Sequence, residues 1–197
     1  GGLFDADAPT VNTLDYSGRG SAVSVNLANS TGTALALPAD AFARITRVVG
    51  SGATTDTLIG PVAISDHTDW SITGANSGTV DGTAFESFEN LTGQNATSDA
   101  FIIRASGSVS GTLSGGTGSL DGFAVDDGAG NLTAYRPAIA DESNAGGVSV
   151  AGKTIKYAGM DAYTPLSGSA ANRVVTGTIF DRDMIVAASG TGLTVSF

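Results

Sequence analysis

FESFENLTGQNATSDAFII, residues Phe85 to Ile103, decides how the chain is read, because FARITRVVGSGATTDTLIG at residues Phe42 to Gly60 carries the same pattern. Set one over the other, Phe42 meets Phe85, Ile45 meets Phe88, Val48 meets Leu91, Leu58 meets Phe101 and Ile59 meets Ile102. Gly50 and Asp56 meet Gly93 and Asp99, each pair separated by the same gap of six residues. A recurring unit is the signature of a repeat architecture, and its period constrains a fold more firmly than local propensity does. Repetition duplicates packing positions, whereas an active site needs no copy, so the pattern points to a scaffold.

Outward from this stretch the same spacing returns at Leu113, Gly115 and Asp121, and again at Val175, Gly177 and Asp183. The glycines at 50, 93, 115 and 177 lie 43, 22 and 62 residues apart, close to multiples of about 21. A coil of that length holds two or three short strands with tight turns. The fold class expected is therefore all-β, a parallel β-helix (β-solenoid) whose coils bury an inward row of Val, Leu, Ile and Phe. Val23, Val25 and Leu27 alternate with Ser24 and Asn26, the period of two expected of a half-buried strand, and Leu35 and Leu37 make a second short one. Residues 1–135 are expected to form regular coils, 136–152 (with RPAIADESNAGG) an inserted loop, and 153–197 further coils whose register the sequence leaves open. In that last part YAGMDAYT, from Tyr157, also resembles FESFENLT and competes with the anchor at Gly177.

Composition narrows the function. The 197 residues include 28 Gly and only 14% charged residues, which disfavours long helices with charge-paired faces. Sixteen of the nineteen acidic residues are Asp, the residue of turns and caps and of calcium sites rather than of helix surfaces. A formal charge of −10 repels phosphate backbones and argues against nucleic-acid partners. With no cysteine, disulfides and thiolate metal sites are excluded, which fits a bacterial surface or secreted protein, although a cytosolic one can also lack cysteine. No apolar run reaches the roughly 20 residues of a membrane helix. The sequence begins at Gly1 without Met, as expected of a piece of something longer.

The phrases LDYSGRGSAVSVNLA, FENLTGQNATSDAFII and SGSVSGTLSGGTGSLDGF resemble the tandem repeats of very large bacterial surface and secreted proteins. These are the haemolysin-like and filamentous-haemagglutinin-like adhesins, related in style to calcium-binding RTX repeats. The resemblance covers most of the chain up to about Asn131. It implies an extracellular location, neighbouring repeats as partners, and calcium held by the turn aspartates, here Asp56, Asp99 and Asp121. The RTX pattern GGxGxDxUx is met only in part, since GSGATTDTL, GQNATSDAF and GGTGSLDGF carry one extra residue between glycine and aspartate and are not contiguous. The competing role for the three aspartates is to cap turns by accepting backbone N–H bonds.

Catalytic candidates are few. His67 stands between Asp66 and Asp69 in SDHTDW, without a nucleophile motif near it. A β-helix polysaccharide lyase or hydrolase, or a glycan-binding module, is the alternative reading; Asp126 with Asp127, or Asp181 and Asp183 around Arg182, would begin its carboxylate cluster. The TGT triplets at Thr31 and Thr176 are too sporadic for a regular ice-binding face. The expected function is a structural, non-catalytic segment or subunit of an extracellular bacterial fibre, adhesin or surface layer, capped by further repeats or by identical subunits stacked head to tail, with surface glycans as a further partner.

Overall fold

The computed structural model describes residues 4–5, 12–32, 42–63, 67–95, 98–117, 121–126, 128, 132–135, 145–150, 152–160, 173–174, 186–187 and 194–195. Among them the secondary structure is all β, with no helix. The first strands are β1 (Phe4–Asp5), β2 (Thr13–Asp15), β3 (Ser24–Asn26), β4 (Thr31–Gly32), β5 (Phe42–Ala43), β6 (Arg47–Val49) and β7 (Thr57–Ile59). The middle of the chain supplies β8 (His67–Gly74), β9 (Ser77–Val80), β10 (Thr83–Glu86), β11 (Asn90–Thr92), β12 (Ser98–Ile103), β13 (Thr112–Ser114) and β14 (Gly122–Asp126). The remainder are β15 (Leu132–Tyr135), β16 (Gly146–Val150), β17 (Lys153–Ala158), β18 (Arg173–Val174), β19 (Val186–Ala187) and β20 (Thr194–Val195).

Two mixed eight-stranded sheets dominate. Sheet I runs β15-β14-β12-β8-β9-β10-β6-β2, and sheet II runs β18-β16-β17-β13-β11-β7-β3-β4; β1 with β5 and β19 with β20 form separate pairs. From β6 onward the chain alternates between the sheets, with β6 in I, β7 in II, β8 to β10 in I, β11 in II, β12 in I, β13 in II and β14 in I. Within sheet II, β3, β7, β11, β13 and β17 pair parallel one to the next and make a parallel ladder. In it Val25, Leu58, Leu91, Leu113 and Tyr157 stand in one column, the first four fully buried. Their neighbours in the three-residue strands, such as Thr57 and Ile59 or Thr112 and Ser114, are half-exposed, as the two-residue period of a pleated strand requires.

Sheet I supplies the facing side of the core. Trp70, Phe101 and Phe123 are in register, as are Ile72, Ile103 and Val125. Trp70 stacks on Phe101 at 5.1 Å between ring centroids and meets Phe85 edge-on at 5.9 Å, the two geometries that the ring quadrupole favours. Apolar side chains from both sheets join in one cluster that runs from Tyr16 to Met160.

The repeat is not metric, and the 43-residue register of the two long copies is not the one in which strands pair. Phe85 lies beside Val48, Leu91 beside Leu58, and Phe42 beside Phe4. The cause is the antiparallel meander β8-β9-β10, which keeps the chain in sheet I for three strands before it crosses again. Two tight turns make it possible. Asn76 has φ 49°, and Asp81 and Gly82 have φ 42° and 82°, the positive pair that a two-residue hairpin turn demands. The copies 43 residues apart consequently fall on opposite sheets, with Leu58 in II and Phe101 in I. The shorter offset of 22 does pair, Leu91 with Leu113 and Phe101 with Phe123.

The stretch 136–152, read as an inserted loop, contains β16, which pairs antiparallel with β17. Leu35 and Leu37, Val175, Gly177 and Asp183 lie outside the described residues.

Candidate functional site

The three aspartates singled out by their spacing sit where the chain changes sheets, each at the entry to a strand. Asp56 leads into β7 in sheet II, whereas Asp99 and Asp121 stand at the starts of β12 and β14 in sheet I. All three are fully buried. The structure therefore brings Asp99 and Asp121 together on adjacent strands and puts Asp56 at a corner leading into the other sheet.

The glycine six residues ahead of each aspartate is there for space. A Cβ on Gly50 would stand 2.8 Å from Asp56 Oδ2, and one on Gly115 would stand 2.8 Å from Asp121 Oδ2. A Cβ on Gly93 would overlap the Asp99 carboxyl group and approach the Gly115 carbonyl of the next pass to 2.5 Å. None of the three has positive φ, so crowding, not backbone conformation, selects glycine. The carboxylate folds back over the glycine and closes the corner.

At the sheet II corner, Asp56 Oδ1 accepts the Val23 N–H at 2.8 Å and the Ser51 hydroxyl at 2.8 Å, while Oδ2 accepts the Ser51 N–H at 2.5 Å. The Asp56 N–H in turn donates to Glu89 Oε2 at 2.8 Å. Val23, Asp56 and Glu89 immediately precede β3, β7 and β11, so successive passes are joined by carboxylates at steps of 33 residues. Glu89 Oε1 accepts from Asn76 Nδ2 at 3.1 Å, and Asn76 Oδ1 accepts the Ser110 N–H at 2.9 Å, which extends the row to the pass containing β13. Buried backbone N–H groups at a corner lack a ladder partner, and ionised carboxylates are strong acceptors for them.

At the sheet I corner the register aligns Thr68 with Asp99, and Asp121 follows on the next strand. The Asp99 N–H donates to Asp121 Oδ1 at 2.8 Å, a step of 22 residues, and Asp99 Oδ1 accepts the indole N–H of Trp70 at 3.0 Å. Asp99 Oδ2 and Thr68 Oγ1 are buried without hydrogen-bond partners. Burial pushes the Asp99 carboxyl up to about 6; the Trp70 indole and the Gln94 backbone act the other way, and the charge of Asp81 adds to the rise.

Asp56, Asp99 and Asp121 are buried, and each accepts at least one N–H group of the protein itself. Among the described residues no three His, Cys, Asp or Glu side chains gather in a group able to hold a metal ion. His67 is half-exposed, with Nε2 3.4 Å from Asp69 Oδ1 on the outer face of β8. Asp126 ends β14 and accepts the Gly128 N–H at 2.9 Å, a turn role. Asp66, Asp127, Asp181, Arg182 and Asp183 lie outside the described residues.

Sequence reasoning passed over Glu89, Asn76 and Thr68. Glu89 was within reach of it, since Asp56-Thr57-Leu58 and Glu89-Asn90-Leu91 share the order acid, polar, leucine. Asn76 and Thr68 carry no such signal, because their partners depend on the meander. Comparison with protein-family models, with curated proteins and with solved structures finds no match.

Proposed function

We propose that this chain is a structural, non-catalytic segment or subunit of an extracellular bacterial fibre, adhesin or surface layer, and that its alternating strands wind as a parallel β-helix. The observation that carries this reading is the column Val25, Leu58, Leu91, Leu113 and Tyr157, in which each pass sets one inward side chain on that of the pass before. Stacked passes of this kind supply a continuous core and backbone ladders along one axis, properties suited to reach and mechanical support. The corner carboxylates favour the same reading, because Asp56, Glu89, Asp99 and Asp121 accept backbone and side-chain N–H groups of the protein itself. Exposed Ser24 and half-exposed Thr57, Asn90 and Thr112 follow one another along the outer face of sheet II and give a hydroxyl- and amide-rich surface suited to glycans.

On this reading Asp56, Asp99 and Asp121 hold corners in place of calcium. Electron microscopy of the particle, with a calcium titration of its melting temperature, tests both parts. Rods that join end to end, and a melting temperature indifferent to calcium or chelator, are the expected results. A compact particle that cleaves pectin or alginate would replace the scaffold with the enzyme alternative, and a rise of several degrees with calcium would return the aspartates to metal binding.

A further inference from the structure

Lys153 opens β17 directly after Gly152, whose φ of 73° makes the tight turn of the β16–β17 hairpin. Its ammonium reaches across to the corner between β12 and β13. There it donates to the carbonyl oxygens of Arg104 at 3.0 Å, of Gly107 at 2.9 Å, and of Ala105. An ammonium has three N–H donors and no acceptor, so three carbonyls complete its hydrogen bonding. Among the described residues no carboxylate is within ion-pair distance of it.

The corner that receives it is anchored to the body of the fold. Arg104 N donates to Ile72 O at 2.8 Å, Gly107 N to Arg104 O at 2.8 Å and Ser108 N to Gly74 O at 3.1 Å. A Cβ on Gly107 would overlap the Ile72 carbonyl, so the corner lies directly on the end of β8. The hairpin's ladder to the parallel body is short. Among the described residues Lys156, Tyr157 and Ala158 alone pair with β13, through Thr112, Leu113 and Ser114, at the end of β17 away from Lys153. Among the described residues, hydrogen bonds hold the hairpin to the β13 side at two points, the ladder with the Gly115 N–H to Ala158 O bond at its end and the single ammonium, while Ile155 and Tyr157 pack against the apolar cluster between them.

We propose that Lys153 is a clasp that keeps the β16–β17 hairpin strapped to the β12–β13 corner, and that its removal releases the strap while the parallel body stays folded. Hydrogen exchange on the full chain tests this with Lys153→Met and Lys153→Arg. In the Met variant the amides of residues 104–108 and 152–158 are expected to exchange at least about tenfold faster, the equivalent of one charge-assisted hydrogen bond, with Trp70, Leu91 and Phe101 unchanged. Arginine keeps the charge but not the compact three-donor geometry and should restore part of the protection. Ammonium chloride should slow exchange of residues 104–108 in Lys153→Ala, relative to sodium chloride at equal ionic strength, by filling the same carbonyls. Unchanged exchange at both segments overturns the clasp. So does acceleration spread over the whole chain, or failure of the Met variant to fold, because Lys153 would then be part of the body and not a strap on it.

Discussion

Asp99 is a carboxyl group with no exposure, one oxygen bonded to Trp70 and the other buried without a partner. Its folded-state value of about 6 lies above the roughly 3.9 of an unfolded aspartate. The folded chain therefore binds more protons between those two values, and the contribution of this group to stability is full below pH about 4 and is lost as the pH rises through about 6. Urea unfolding from pH 4 to 8 should show it as a difference between the wild type and Asp99→Asn of about 1–3 kcal/mol accumulated across that window. Asparagine keeps an acceptor for the indole, so emission of the single Trp70 should titrate near pH 6 in the wild type and stay flat in the variant. A parallel pH response in the two proteins would remove Asp99 as its source. Gly93 is the second residue on which this corner depends. Gly93→Ala would push a methyl group into the Asp99 carboxyl and toward the Gly115 carbonyl, and should destabilise by about 2–3 kcal/mol. Because both groups crowd the site, Asp99→Ala in the same chain should relieve part of that loss but not all of it; strict additivity would mean that the carboxyl does not pack where it is placed.

Among the elements, the three-residue strands of sheet II depend on a single inward side chain each. Leu113 of β13 is fully buried between Leu91 and Tyr157, so Leu113→Ala should cost about 2–5 kcal/mol in urea unfolding, while Thr112→Ala beside it should stay within about 1 kcal/mol. Comparable losses at the two positions would contradict the assigned register. That register was legible in part. The 22-residue echo of Leu91, Gly93 and Asp99 at Leu113, Gly115 and Asp121 carries over to strand pairing, because inward leucine, corner glycine and corner aspartate are all set by the same close passage of backbone. The longer echo at 43 residues misled for the same reason. Corners of both sheets use the glycine–aspartate device, so Asp56 and Asp99 look alike in sequence although they lead into different sheets. What sequence could not supply was the meander: nothing local at Asn76 or at Asp81-Gly82 tells that β8, β9 and β10 all stay in sheet I.

For the whole molecule, the question is what meets the outermost strands. Sheet I ends on β2 and β15, sheet II on β4 and β18; of these four only β2 runs parallel to its neighbour, while the others fold back antiparallel. Antiparallel returns terminate a parallel ladder, whereas β2 offers the geometry for continuing one. Tyr16 N donates to Val49 O and Asn12 O accepts from Arg47 N, so even-numbered residues of this stretch face β6 and the N–H groups of Thr13 and Asp15 face the other side, where no described strand pairs. A proline at 13 then removes an edge donor without removing a bond to β6. If copies stack through this edge, their net charge of −10 opposes contact at low salt and is screened as the Debye length falls from about 30 Å at 0.01 M to about 3 Å at 1 M. Light scattering should accordingly report monomers in dilute buffer and a mass that rises with protein concentration at about 0.5 M salt, an ionic strength at which screening is nearly complete at contact. Thr13→Pro should abolish that rise with little change in the urea midpoint. A wild type that stays monomeric at every salt and protein concentration would rule out self-stacking, and association undiminished by the proline would place the contact on another surface.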